Sequence, residues 1–295
     1  MSLTVSDAGG SDMEVKADYI TVTVPPPVAD FEGIPTSGPV PLAVVFTDLS
    51  TGNPTSWLWT FGDGETSAEQ EPTHAYTAPG GYTVSLRVEN ASGWDTEEKA
   101  NYIVVTFTDV ASGYCPYLEI LACATAGIVT GLEDGSYHPE WIVTRDQMAV
   151  YISRGLAGGE EHVPMGPAEA TFPDVPTDHW AYNHVEYALA NSVVAGYRDD
   201  YYHPEVVVDR GQMAVFIARA MVAPAGDSGV PPGPEQPTFW DVTRDNEWSW
   251  CYNHVEYIVS EGVAQGYEDG GYHPEYACTR DQMAVYVARA FDLTL

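Results

Sequence analysis

Three helices of almost the same spelling constrain this chain more than any other feature. TRDQMAVY stands at Thr144–Tyr151 and again at Thr279–Tyr286, and DRGQMAVF runs from Asp209 to Phe216. Each copy opens on a helix-start signature. Thr144 with Gln147, and Thr279 with Gln282, satisfy the capping box, while Asp209 with Gln212 gives its aspartate version. Met148, Ile152 and Leu156 recur as Met213, Ile217 and Met221 and as Met283, Val287 and Phe291, an apolar stripe at i, i+4, i+8 that reads as core. The carboxyl-terminal part of the chain is therefore a helical threefold repeat.

Other markers recur with the helix. Phe107-Thr-Asp-Val, Phe172-Pro-Asp-Val and Phe239-Trp-Asp-Val open the units, and glycine motifs ending at Gly131, Gly196 and Gly266 sit in the middle. Tyr-His-Pro-Glu begins at Tyr137, Tyr202 and Tyr272. This spacing gives repeats at 107–158, 172–222 and 239–295, joined by Gly- and Pro-rich linkers at 159–171 and 223–238.

Residues 25–106 follow a different rule. Short runs such as LAVVFTDL and YTVSLRV alternate apolar and polar residues between Gly, Pro, Asn and Asp turns, the pattern of an antiparallel sandwich. Residues 1–24 line up with Ser85–Phe107, sharing Leu3/Leu86, Val5/Val88, Gly10/Gly93, Tyr19/Tyr102 and Ile20/Ile103. They are expected to be the last two strands of a second, incomplete sandwich, which points to the carboxyl end of a larger or shortened chain.

Composition removes several classes of function. With 43 acidic residues against 11 Lys plus Arg, the formal charge is −32, a field that repels nucleic acid. A hydrophobic content of 44% and an aromatic content of 12% exclude a disordered acidic chain. No run approaches the roughly 18 apolar residues of a membrane span, and the start lacks the regions of a signal peptide, so neither anchoring nor export is legible. The cysteines, Cys115, Cys123, Cys251 and Cys278, match no zinc spacing. Cys115 and Cys123 are too far apart on one helix to bridge, whereas Cys251 and Cys278 flank one repeat and are able to meet if its helix starts are adjacent.

In so acidic a chain the arginines carry information. Arg145, Arg210 and Arg280 occupy the first helical position, where the macrodipole disfavours a cation by some tenths of a kcal/mol. A guanidinium beside unpaired N–H groups suits an incoming carboxylate; alternatively each arginine pairs with an internal acid such as Asp109, Asp174 or Asp241. Arg154, Arg219 and Arg289 lie in the last turn, where a positive charge is favourable and reads as structural.

The aromatic run Trp59 to Gly64, followed by His74-Ala-Tyr76 and Gly80 to Val84, resembles the PKD family of immunoglobulin-like modules. The threefold markers resemble the S-layer homology family over residues 107–295. The resemblances imply a multidomain chain: an all-β immunoglobulin-like sandwich plus a mainly α-helical, pseudo-threefold repeat domain. They further imply an extracellular cell-surface protein that binds anionic, commonly pyruvylated, cell-wall polysaccharide in grooves between repeats. Arg145, Arg210 and Arg280 would hold the carboxylate, and Gly131, Gly196 and Gly266 would offer backbone contacts. Asp109, Asp174 and Asp241, with Trp180 and Trp250, would shape the groove, although those tryptophans also read as core. TRDQ and DRGQ replace the family's T-R-A-E, and Cys115 near the Trp position in the first repeat weakens the expected site at Arg145 relative to those at Arg210 and Arg280.

The remaining motifs read as structure. Three copies of Tyr-His-Pro-Glu speak for a turn, with the tyrosine plugging the core. The acidic turns Glu133-Asp134, Asp199-Asp200 and Glu268-Asp269, and Asp63, are able to bind calcium, yet no EF-hand loop is present and no cofactor or metal is expected. His184 and His254 are placed on a helix surface, with no nucleophile motif beside them, so no enzyme is expected. The leading expectation is a noncatalytic surface tether. The alternative is a surface-layer or filament subunit that self-associates, including strand complementation by the amino-terminal hairpin.

Overall fold

The computed structural model describes residues 1–19 and 23–294. Strands β1 (Ser2–Asp7) and β2 (Gly10–Val15) form an antiparallel hairpin exposed along its whole length. Ile20, part of the expected repeat with Ile103, lies outside the described residues.

The sandwich is built from eight strands: β3 (Phe31–Ile34), β4 (Ser37–Pro39), β5 (Leu42–Asp48), β6 (Ser56–Thr60), β7 (Thr66–Ser67), β8 (Thr73–Tyr76), β9 (Gly80–Asn90) and β10 (Gly93–Thr106). They form a five-stranded sheet in the order β4-β10-β9-β6-β7 and a three-stranded sheet in the order β3-β5-β8. Alternation decides what is inside: Phe31, Phe46, Trp59, Leu86 and Val88 are wholly buried. Trp59 packs edge-on to Phe31 at 5.2 Å and donates its indole N–H to the Glu69 carbonyl at 2.9 Å, so its one polar atom is satisfied inside. Gly62 has φ +86, and a Cβ there would stand 2.6 Å from the Thr83 carbonyl oxygen, which is why the aromatic run ends in glycine.

The helical region has six helices: α1 (Tyr117–Thr125), α2 (Arg145–Ala157), α3 (Tyr182–Ala190), α4 (Arg210–Met221), α5 (Tyr252–Ser260) and α6 (Arg280–Ala290). The second helix of each repeat packs on the first helix of the next: α2 on α3, α4 on α5, and α6 back on α1. The repeats thus close into a cycle, tied at the centre by backbone bonds. Val143 N–H donates to the Cys278 carbonyl, Cys278 to Val208, and Val208 to Val143, each at 2.9 Å. Met148, Ile152, Met213, Ile217, Met283 and Val287 are completely buried, as their spacing requires.

Thr144, Asp209 and Thr279 are the N-cap residues, with helices beginning at the following arginines. Asp209 accepts from Gln212 N–H at 2.7 Å. In the other two copies the threonine hydroxyl donates to Asp146 or Asp281, and that carboxylate accepts from the N–H of Gln147 or Gln282. The second helical residue has taken over the cap, and Gln147 supplies the reciprocal arm to Thr144 N–H at 3.3 Å.

Tyr137, Tyr202 and Tyr272 are wholly buried beside Phe107, Phe172 and Phe239, with ring centroids 5.0, 5.4 and 5.4 Å apart. The next residue, His138, His203 or His273, has φ of 54, 56 or 53°, a left-handed conformation that a side chain disfavours. Asp109, Asp174 and Asp241 hold it there by accepting both the Tyr and the His N–H, at 2.7 and 2.7, 2.9 and 2.7, and 2.8 and 2.6 Å. Replacing Asp174 by Asn leaves one N–H facing an amide donor; it is expected to lower unfolding free energy by about 1–3 kcal/mol in denaturant titration, with an unchanged m-value.

Candidate functional site

Arg145, Arg210 and Arg280 each leave their own repeat and enter the next one in the cycle. They are 5%, 5% and 8% exposed. Arg145 Nε donates to the Tyr202 carbonyl at 2.9 Å and Nη2 to Ala195 at 3.0 Å. Arg210 makes the equivalent bonds to Tyr272 and Gln265, both at 2.9 Å, and Arg280 Nη2 donates to Thr130 at 3.2 Å. Aromatic rings cover the guanidiniums: Tyr197 and Tyr202 lie 4.7 and 4.5 Å from Arg145, Tyr267 and Tyr272 4.9 and 4.4 Å from Arg210, and Tyr137 4.4 Å from Arg280.

Two expectations are corrected by this geometry. Internal acids do not pair with these arginines: among the described residues none of the three forms an ion pair, and Asp109, Asp174 and Asp241 are committed to the Tyr-His turns. Nor does the helix start offer free N–H groups. Arg145 N–H and Asp146 N–H donate to the Val206 and Pro204 carbonyls, Arg210 and Gly211 to Tyr276 and Pro274, and Arg280 and Asp281 to Trp141 and Pro139. Closure of the cycle consumes those donors, so any anion must be met by the guanidinium.

The buried phenols around the arginines do not supply counter-charge. Burial pushes the hydroxyls of Tyr202, Tyr272 and Tyr286 well above the ordinary tyrosine range, so they are neutral at physiological pH. The arginines are held by dipoles and π-faces alone.

The surroundings of the three differ at one position. Arg210 Nη1 donates to the Tyr286 hydroxyl at 2.5 Å, and Arg280 Nη1 to that of Tyr151 at 2.8 Å. The corresponding residue beside Arg145 is Phe216, whose ring is 5.4 Å away and has no acceptor. Arg145 borders a cavity of about 320 Å³ lined also by Gly196, Tyr197, Phe216, Arg219 and Trp250, with no carboxylate in its wall. Each arginine reaches into the following repeat, so Cys115 of the first repeat does not bear on Arg145. Trp250 lines its cavity instead.

The other expected site residues have identifiable tasks. A Cβ on Gly131, Gly196 or Gly266 would stand 2.9, 2.5 or 2.2 Å from a ring carbon of Phe107, Phe172 or Phe239, so packing demands these glycines. Trp180 and Trp250 are 60% and 48% exposed and are not core. Trp180 donates to Asp146 at 3.1 Å, and Trp250 lies where a Cβ on Gly211 would be 3.3 Å from its ring. Arg154, Arg219 and Arg289 donate to the Ile128, Val193 and Val263 carbonyls rather than to their own helix ends. The acidic turns satisfy local donors: Asp134, Asp199 and Asp269 accept from Ser136, Tyr201 and Gly271 N–H. All four cysteines are free, Cys251 and Cys278 included. Tyr197, Tyr267, Tyr151 and Tyr286 were not singled out as site residues, although the last letter of each repeated helix motif, Y, F and Y, carried the signal.

Family models match a PKD domain at residues 24–105 and the S-layer homology domain at 106–149, 171–214 and 244–284. The chain is a PKD domain followed by three S-layer homology domains. It is 24% identical over 167 residues to the cellulosome-anchoring protein of Acetivibrio thermocellus, covering 57% of this chain and 36% of that protein. To an S-layer protein of Bacillus licheniformis it is 26% identical over 130 residues, covering 44% and 14%. The PKD1 domain of the Vibrio cholerae metalloprotease PrtV is similar at 35% identity over 26% of this chain and 96% of that domain, with a TM-score of 0.24. The chain thus spans about a third or less of the length of these two relatives. The S-layer homology triplet, with relatives so named, places it among cell-surface proteins. Among the described residues no helix is long and apolar enough to cross a membrane.

Within the S-layer homology domains, the linkers are fastened by the helix motif Tyr-Asn-His-Val-Glu-Tyr. Glu186 accepts from Thr171, and Glu256 from Thr238, through both backbone and hydroxyl. His184 and His254, expected on a surface, are instead buried against Glu160 and Asp227 of the linkers, which also bind Arg154 and Arg219. Burial depresses both histidines below their ordinary value, outweighing the facing carboxylates. Hydrogen bonding from Arg219 leads the effects that lower Asp227 to about 2, so it stays ionised throughout the histidine range. Their neutral form is the folded one, so its stabilising contribution is complete above the unfolded pKa near 6.5 and is lost as pH falls below it. The melting temperature should therefore drop between pH 7 and 5, and His184→Gln with His254→Gln should flatten that part of the profile in calorimetry.

Proposed function

We propose that this chain is a noncatalytic tether whose S-layer homology domains hold anionic cell-wall polysaccharide at the outer face of a cell, with the PKD domain as spacer or adhesion unit. One observation carries it: a chain of formal charge −32 keeps Arg145, only 5% exposed and in no ion pair among the described residues, at the wall of an open cavity. A buried cation is costly unless paired, and a ligand carboxylate supplies the missing charge where water screens it least. Trp250 offers a flat face beside it for a sugar ring.

Retention on purified anionic wall polysaccharide tests this. Replacing Arg145, Arg210 and Arg280 together by Met, which keeps much of the buried stem, is expected to lower affinity at least tenfold, about 1.4 kcal/mol. Unchanged retention by a folded triple variant would reject the arginine mechanism.

A second reading, assembly with other subunits, has its own observation. Leu3 and Val5 of the hairpin are 64% and 63% exposed, whereas their counterparts Leu86 and Val88 are wholly buried in the sandwich. If the hairpin completes a neighbour's sheet, deleting residues 1–24 should lower the number of chains per particle measured by light scattering; an unchanged number removes this route.

A further inference from the structure

The three arginine sites share one plan but are finished differently: Arg145 and Arg210 donate through Nε to the Tyr202 and Tyr272 carbonyls, whereas Nε of Arg280 is buried without a partner among the described residues. Where the helix motif ends in tyrosine, its hydroxyl occupies Nη1 of the incoming arginine, as Tyr286 does for Arg210 and Tyr151 for Arg280. Where it ends in Phe216, Nη1 of Arg145 has no hydrogen-bond partner among the described residues, and the arginine borders the cavity. Beside the cavity that N–H is free to donate to a ligand oxygen, forming a charge-assisted bond.

We propose, resting on the reading of these sites as anion receptors, that residues 151, 216 and 286 act as gates. The tyrosine hydroxyl is an internal stand-in for the ligand oxygen and keeps the sites at Arg280 and Arg210 closed. Phe216 leaves the site at Arg145 open, so one carboxylate binds per chain, at Arg145.

The cavity wall narrows the ligand further. Arg219 stands in the same wall, already bonded to Asp227 through two nitrogens at 2.6 and 2.8 Å, and leaves Arg145 as the unneutralised cation. Gln212 also lines the cavity, with its Nε2 donating to the Tyr197 hydroxyl at 3.4 Å. Tyr197, Phe216 and Trp250 supply apolar faces. An acidic sugar meets these groups, its carboxylate at Arg145 and its ring against the aromatic faces.

The gate is tested with two probes. Bromide soaked into crystals of the full chain should give an anomalous peak beside Arg145 Nη1 and none beside Arg210 or Arg280. Phe216→Tyr should abolish that peak, and Tyr286→Phe should create a second one at Arg210. On wall polysaccharide, Phe216→Tyr should lower affinity at least tenfold, as far as Arg145→Met does. Equal bromide occupancy at all three arginines in the parent, or full polysaccharide affinity in Phe216→Tyr, overturns the gate. If the parent shows the bromide pattern but does not bind the polysaccharide, the gate stands and the glycan reading falls.

Discussion

Everything in the helical region depends on the exchange of backbone bonds at its centre. Val143, Val208 and Cys278 are single residues in three distant parts of the sequence, yet each N–H finds the carbonyl of another copy. Three short segments thereby replace the β-sheet that a larger domain would use, and the helix starts that follow are fixed relative to one another. The same closure spends the N–H groups of the first helical residues on neighbouring loops and delivers each arginine into the next repeat.

That delivery explains how a chain with so few cations keeps three of them inside. A guanidinium in protein interior is tolerated when its planar fork meets carbonyl dipoles and its faces meet aromatic rings. Tyr202, Tyr272 and Tyr137 are built into the same arrangement: the ring lies against the arginine, and the hydroxyl donates to that arginine's own carbonyl. Among the described residues the arginine is thus neither a surface charge nor half of a salt bridge.

Much of this was legible in the sequence because it is local. Capping, the apolar stripe and the Tyr-His-Pro-Glu turn depend on residues within a few positions, and the structure shows them where the spacing put them, with Asp146 and Asp281 taking the cap from threonine. The sandwich was legible from alternation for the same reason. What the spacing withheld was which repeat completes which. Nothing in TRDQ says that its arginine serves the following unit, or that Trp250 stands beside Arg145. His184 was misplaced on a surface because the linker that covers it has no periodicity to announce its packing.

Packing α6 on α1 has a consequence for how the domain fails. A linear solenoid has end repeats with one neighbour each, and they fray first. Here every repeat has two neighbours, so opening any one strips a helix partner from the unit before it and the unit after it. A ring without ends has no weak link from which to unzip, and under tension it holds until it is lost all at once.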